Sequence, residues 1–243
     1  MTYCVAVRTE QGLVFLSDSR TNAGVDQVGT FRKMHVYEVP GERVMVLLTA
    51  GNLGISQTIA SGLRAHMDTA GERSLGSAPN MFSAAKAVGD AVRRTYERDA
   101  ESLKTFGVEF NVSLIFGGQV KGEAPRLFHV YSAGNFVEAT AETPYFQVGE
   151  SKYGKPILDR VIGAGLSLEE VAKLTLISMD STIKSNLSVG LPLDLLCYER
   201  DSLRVTRHKL IDGKDPYFAS IRERWAEQLR KVFNELPAPG YWS

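Results

Sequence analysis

Groups of strand-like segments alternate with groups of helical segments along this chain, and that order limits the folds open to it. Apolar and β-branched runs predict four strands, at residues 3–8, 13–16, 34–39 and 44–49. Helices at 53–67 and 83–103 follow, joined by a loop at 71–79, and then three strands at 110–116, 126–131 and near Phe136. Helices at 153–162 and 168–182, strands at 193–199 and 203–209, and a helix at 216–233 complete the order.

Hairpin loops join the neighbouring strands of these groups. The turn at 9–12 ends in glycine, and Pro40-Gly41 is a strong turn dipeptide. Strands joined in this way lie antiparallel, so we expect antiparallel sheets with helices on the outside.

Two helix starts carry specific local signals. Ser167 and Glu170 have the spacing of a capping box, and Asp215 before Pro216 supplies an N-cap followed by proline at the first helical position. The last helix then presents an apolar face, which we interpret as core or as a subunit contact. That face consists of Phe218, Ile221, Trp225, Leu229 and Val232.

Composition excludes several classes of protein. The 243 residues, of which 44% are hydrophobic, fit one domain over 1–243, and 28 basic against 28 acidic residues give no reason to expect a nucleic acid or anionic membrane partner.

Cys4 and Cys197 belong to no metal-ligand spacing, so we expect no metal site, no disulfide and a cytoplasmic location. Cys4 is interpreted as a buried strand cysteine. We expect no signal peptide, and no apolar run approaches the ~20 residues of a membrane span.

Thr2 is the candidate nucleophile. The four histidines lie in no recognisable catalytic motif, so a threonine hydroxyl elsewhere in the chain lacks an evident base. Removal of Met1 would give Thr2 a free α-amine with an ordinary pKa of about 7.7–8.0, able to accept the hydroxyl proton through a water. A small residue at position 2 permits that removal, so no propeptide is required.

Three further residues have suitable chemistry and placement. Asp18 ends the second predicted strand and Lys33 begins the third, so a loop could bring this charge pair beside the N-terminal strand. Gly51, at a strand-to-helix junction, offers a backbone N–H as an oxyanion donor. The structural alternatives are a turn cap for Asp18, a solvated strand end for Lys33 and a helix-start glycine for Gly51.

The spacing of Thr2, Asp18-Ser19-Arg20, Lys33 and Ala50-Gly51 resembles the catalytic core of proteasome β-type subunits, and the chain looks most similar to a bacterial homologue of the proteasome. The resemblance covers nearly the whole chain. It implies an α+β N-terminal nucleophile hydrolase fold, a four-layer α/β/β/α sandwich of two antiparallel sheets with Thr2 at one open end.

The same resemblance implies further site residues. Ser151 matches a serine of a later active-site loop, with Glu150 as the alternative, and Asp180 matches a later acidic residue. Because position 183 is isoleucine, the family's Asp-x-x-Ser pattern is not reproduced, and Ser185 and Ser188 are other candidates. The specificity pocket would be lined by Thr21, Phe31, Thr49 and Leu53.

The function implied is threonine-type hydrolysis of peptides or unfolded proteins through an acyl-enzyme on Thr2, in a homo-oligomeric ring or spiral and without a cofactor. Two alternatives remain open: a non-catalytic assembly subunit, or an acyl transferase, acting as a transpeptidase or a ligase partner, that uses the same nucleophile. The sequence leaves undecided whether an ATP-dependent unfoldase supplies the substrate.

Overall fold

A computed structural model describes residues 2–22, 28–67 and 74–242 of the chain. The strands within these ranges are β1 (Tyr3–Thr9), β2 (Gly12–Asp18), β3 (Arg20–Asn22), β4 (Val28–Thr30), β5 (Met34–Val39), β6 (Arg43–Gly51), β7 (Val112–Val120), β8 (Arg126–Val130), β9 (Phe136–Glu138), β10 (Tyr145–Gly149), β11 (Leu193–Glu199) and β12 (Arg207–Ile211). The α-helices there are α1 (Leu53–Ala65), α2 (Met81–Thr105), α3 (Ser151–Val161), α4 (Leu168–Ser185) and α5 (Pro216–Glu235).

The strands form two five-stranded antiparallel sheets and one short hairpin. The first sheet has the order β10-β1-β2-β11-β12 and the second β5-β6-β7-β8-β9, while β3 pairs with β4. In the first sheet β1 lies between β2 and β10, with Cys4 opposite Ser17 on one side and Val148 on the other. The N-terminal strand is therefore hydrogen-bonded along both edges.

Three apolar cores separate four layers. The outer face of the second sheet packs on α1 and α2 through residues such as Leu47 and Val88. The outer face of the first sheet packs on α3, α4 and the start of α5. Between the sheets, Phe15 and Ile115 belong to a third core. Two-sided burial explains why the central strands are almost continuously apolar, and the predicted four-layer sandwich is confirmed.

Several local predictions are confirmed. The strand at 193–199 has the predicted bounds, and helices begin at Leu53, Leu168 and Pro216 as expected. Ser167 and Glu170 form both bonds of the capping box, and the Asp215 side chain accepts from the Phe218 N–H. Of the loop predicted at 71–79, residues 71–73 lie outside the described residues.

Three strand predictions are wrong. Six strands, not four, precede α1 in the described part of the chain, because β3 and β4 are three-residue strands with no apolar alternation to mark them. The predicted order also lacks β10, which is held by pairing with the distant β1. The strand predicted at 203–209 begins at Arg207, because Leu203 adopts a positive φ of 45° in the preceding turn.

Among the described residues, no helix is both long enough and apolar enough to cross a membrane.

Candidate active site

Asp18 and Lys33 form a buried ion pair. Asp18 is the last residue of β2, and Lys33 directly precedes β5. The Lys33 Nζ donates to Asp18 Oδ1 at 2.7 Å and to the carbonyl of Arg20 at 2.6 Å. The side chains are 5% and 0% exposed, respectively, which does not fit a solvated strand end or a surface turn cap.

Asp18 is also tied to the start of β1. The backbone N–H of Tyr3 donates to Asp18 Oδ1 at 3.0 Å, the same oxygen that Lys33 binds. The ammonium is therefore two hydrogen bonds away from the residue that follows Thr2. Burial raises the pKa of Asp18, while the Lys33 ammonium and the N–H groups of Tyr3 and Gly190 act in the opposite direction.

Thr2 directly precedes β1 and is 8% exposed. Its carbonyl accepts the backbone N–H of Glu150 at 2.7 Å, immediately before α3. Ser151, the first residue of α3, thus belongs to a segment that is bonded directly to Thr2. Met1 lies outside the described residues.

Gly51 ends β6 with a φ of +102°, and a Cβ atom there would lie 2.4 Å from the carbonyl oxygen of Asn111. The position therefore requires glycine. The N–H of Thr49, two residues before Gly51, donates to the Lys33 carbonyl at 2.9 Å. This bond places the end of β6 beside the residue that carries the ammonium. Asn52 then caps α1 by accepting from Ile55 N–H.

A loop after α4 completes the surroundings of Asp18. The N–H of Gly190 donates to Asp18 Oδ2 at 3.4 Å, and the Leu187 carbonyl accepts from Arg20 Nη1 at 2.8 Å. The carbonyl of Pro192 accepts the hydroxyl of Ser19 at 2.6 Å. This loop, at residues 186–192, was not predicted as a contact of Asp18. The sequence points to this loop only through Ser188, which is one of the two alternatives to the serine missing at position 183.

Asp180 belongs to a helix, whereas Asp18 belongs to the first sheet. It lies in α4 and accepts from Arg222 Nε of α5 at 2.9 Å. Burial raises the pKa of Asp180, and Arg222 opposes that rise. A cavity of about 590 Å³ between α4 and α5 is lined by Asp180 and Arg222. The hydrogen bonds described for Asp180 therefore connect it to the outer helical layer, and not to Asp18 or Lys33.

The four residues predicted to line a specificity pocket come from two pieces of the fold. Thr21 belongs to β3 and Phe31 follows β4, whereas Thr49 lies in β6 and Leu53 begins α1. Phe31 is 41% exposed and Thr49 is 4% exposed. The buried Thr21 hydroxyl oxygen has no hydrogen-bond partner among the described residues. Hydrogen bonds from Phe31 N–H to Ser19 and from Thr49 N–H to Lys33 tie both pieces to the charge pair.

Cys4 is a buried strand cysteine, as predicted. Its Sγ lies 3.7 Å from the Thr49 carbonyl oxygen, and burial raises the pKa of the thiol. A thiol with a raised pKa stays protonated near neutral pH and is a poor nucleophile.

The chain as a whole is similar to members of one known family. Residues 2–191 match the proteasome subunit family. The chain is 48% identical to Anbu, described as an ancestral β-subunit, from Yersinia bercovieri, over 99% of this chain and 100% of that one, with a TM-score of 0.93. It is 44% identical to the Anbu complex from Pseudomonas aeruginosa, solved as a helical assembly, over 99% of both chains with a TM-score of 0.93. A proteasome subunit beta from Haloferax volcanii is 24% identical over 213 residues, which are 87% of this chain and 79% of that protein.

Proposed function

Since the chain belongs to the proteasome subunit family, we propose that it is a threonine-type N-terminal nucleophile peptidase that acts through an acyl-enzyme on Thr2 after removal of Met1. One observation carries the proposal. The buried Lys33 ammonium and the Tyr3 N–H share one oxygen of Asp18, so a fixed positive charge is anchored beside the first residue of the strand that follows Thr2.

In this mechanism the Thr2 α-amine accepts the hydroxyl proton through a water, and the alkoxide attacks the substrate carbonyl carbon. The positive charge of Lys33 favours the neutral amine and stabilises the alkoxide, while Asp18 holds Lys33 in place. The Gly51 N–H stabilises the oxyanion of the tetrahedral intermediate. Collapse of that intermediate expels the amine product, which takes the proton, and a water then hydrolyses the ester on Thr2.

Ser151 and Asp180 have less direct support. Ser151 stands next to Glu150, whose N–H binds the Thr2 carbonyl, which suits a role in orienting the α-amine or its water. We propose Asp180 as the later acidic residue of the site. Because Arg222 of α5 donates to it, Asp180 would act indirectly, by fixing the position of α4. The Gly190 bond to Asp18 supports Ser188 as the alternative on the adjoining loop.

Substrate binding is proposed between the β3–β4 hairpin and the β6–α1 junction. Thr21, Phe31, Thr49 and Leu53 would line this region with hydroxyl and apolar groups, none of them charged. We therefore propose peptides or unfolded proteins with neutral side chains before the cleaved bond. The reaction requires no cofactor or metal, and we place the single domain, 1–243, in the cytoplasm.

Self-association is also part of the proposal. Leu229 and Val232 on α5 are 52% and 53% exposed, and Phe233 is 75% exposed. Apolar side chains grouped on one helix are typical of a protein interface. The helical assembly of the Pseudomonas aeruginosa Anbu complex supports a homo-oligomer, as a ring or a spiral, for this chain. We leave open whether an ATP-dependent unfoldase delivers substrate.

The test compares Thr2→Ala with Thr2→Ser in the assembled protein. Thr2→Ala should abolish turnover of fluorogenic peptides and covalent capture by a peptide epoxyketone, which needs a vicinal hydroxyl and amine. Thr2→Ser keeps both groups and should retain capture. Light scattering checks that assembly is unchanged. Retained turnover in Thr2→Ala would remove Thr2 from the mechanism.

The two alternatives give different results. An assembly subunit without activity would fail to react with the epoxyketone even with Met1 removed, which mass spectrometry of the N-terminus verifies. An acyl transferase would form amide products when amine acceptors are added, at the expense of hydrolysis.

A further inference from the structure

Tyr3, the residue after the proposed nucleophile, has a fully buried side chain with a complete set of hydrogen bonds. Its hydroxyl lies 2.6 Å from Ser178 Oγ in α4 and accepts from Gln147 Nε2 of β10 at 2.5 Å. Ser178 Oγ in turn donates to the carbonyl of Gly154 in α3 at 3.0 Å. One phenol therefore connects four elements: β1, β10, α3 and α4.

The direction of these bonds follows from counting protons. A serine hydroxyl has one proton, and Ser178 gives it to the Gly154 carbonyl. The Tyr3 hydroxyl must then donate to Ser178 and accept from Gln147. Burial raises the pKa of Tyr3, which keeps this donor protonated. The chain of bonds thus runs one way, from Gln147 through Tyr3 and Ser178 to the backbone of α3.

The backbone of α3 lies close to the phenol. A Cβ atom on Gly154 would lie 2.3 Å from Ser178 Oγ and 2.5 Å from the Tyr3 hydroxyl. A side chain at position 154 would therefore displace one of the two hydroxyl groups, and glycine lets α3 come within hydrogen-bond distance of Ser178.

The backbone of the same residue is bound to the proposed site. The Tyr3 N–H donates to Asp18, and Tyr3 pairs with Gly149 in the β1–β10 ladder. The next residue, Glu150, donates to the Thr2 carbonyl. A shift of Tyr3 would therefore move Thr2 relative to both Asp18 and the segment that leads to Ser151.

We propose that the Tyr3 hydroxyl is a positioning group for the reaction on Thr2, because it fixes the start of β1 against α3 and α4. This inference rests on the proposed function. It assigns no contact with substrate to Tyr3. The geometry of the Thr2 α-amine and hydroxyl would then depend on the bond from Tyr3 to Ser178, which lies on the helix-covered face of the first sheet.

The test is Tyr3→Phe, which removes one oxygen atom and keeps the ring. Tyr37→Phe is a matched control, because Tyr37 is equally buried and donates to the Ala60 carbonyl at 3.0 Å in the other helical layer. We expect kcat for a fluorogenic peptide to fall about 10-fold in Tyr3→Phe with KM unchanged, as displacement of reacting groups predicts. Tyr37→Phe should leave kcat and KM unchanged.

A double-variant cycle tests whether Tyr3 acts through Ser178. Ser178→Ala should lower kcat, and the Tyr3→Phe, Ser178→Ala double variant should be no slower than Tyr3→Phe alone. Additive losses would overturn the relay through Ser178. Equal effects of Tyr3→Phe and Tyr37→Phe, whether both large or both absent, would overturn the positioning role of Tyr3.

A second measurement separates this inference from the proposed function. Cyanate carbamylates the Thr2 α-amine whether or not the protein hydrolyses peptides, and the rate against pH reports the pKa and accessibility of that amine. Tyr3→Phe should change this profile and Tyr37→Phe should not. If the wild type proves inactive towards peptides and epoxyketones, the proposed function fails, and the carbamylation profiles still decide the role of Tyr3.

Discussion

Replacement of Asp18 by asparagine should destabilise the fold through the charge that it leaves behind. Lys33 keeps the Arg20 carbonyl but loses the carboxylate 2.7 Å away, in a site where the side chains are 5% and 0% exposed. Removal of one partner from a buried ion pair costs about 3–5 kcal/mol. For a domain of this size that corresponds to a fall in Tm of roughly 6–20 °C.

The assay is thermal unfolding followed by circular dichroism, with two companion variants. Glu138→Gln breaks the pair with Arg126, whose side chains are 33% and 25% exposed, and should cost about 1 kcal/mol or less. The Asp18→Asn, Lys33→Met double variant removes both charges and should be more stable than Asp18→Asn alone. An Asp18→Asn variant no less stable than Glu138→Gln, or a double variant less stable than Asp18→Asn, would refute the reasoning.

Three other perturbations have defined outcomes. Gly51→Ala should destabilise the protein by about 1–3 kcal/mol or more in urea unfolding and lower activity, because the new Cβ meets the Asn111 carbonyl. Gly41→Ala is the control: its φ is +78° and no atom lies within 4 Å of the new Cβ, so it should show only the cost of the backbone conformation. Burial lowers the pKa of His129 below its ordinary value of 6.5. As the pH falls through 6.5 the unfolded chain therefore binds more protons than the folded one, and the free energy of unfolding decreases. His129→Gln should lose less stability between pH 7 and 5 than the wild type. Leu229→Glu should weaken self-association in sedimentation experiments and leave the circular dichroism spectrum of the folded chain unchanged, since that side chain is 52% exposed in the single chain.

The elements that could be predicted carry their signals locally. Ser167 and Glu170 set the start of α4 through bonds within one turn, and Asp215 with Pro216 does the same for α5. The antiparallel pairs β1–β2 and β5–β6 follow from hairpins whose turn residues lie close together in sequence. The pairing of Asp18 with Lys33 was accessible for the same reason, because only a short hairpin separates them.

The parts that could not be predicted depend on contacts between distant residues. β10 exists because β1 offers an edge some 140 residues earlier in the chain, as the pair Tyr3 and Gly149 shows. The Gly190 bond to Asp18 spans a separation of 172 residues. The place of Asp180 depends on Arg222 of a helix whose position no local pattern fixes. Composition and periodicity describe neighbouring residues, so they do not predict contacts between residues that are far apart in sequence.

The position of β1 between β2 and β10 has a consequence for synthesis of the chain. Thr2 is translated at the start of synthesis, but the strand that pairs with the second edge of β1 ends at Gly149, and the N–H that binds Asp18 Oδ2 belongs to Gly190. A nascent polypeptide shorter than this contains the proposed nucleophile without the residues proposed to activate it. Under the proposed function, Thr2 would therefore become reactive only when most of the chain has been translated.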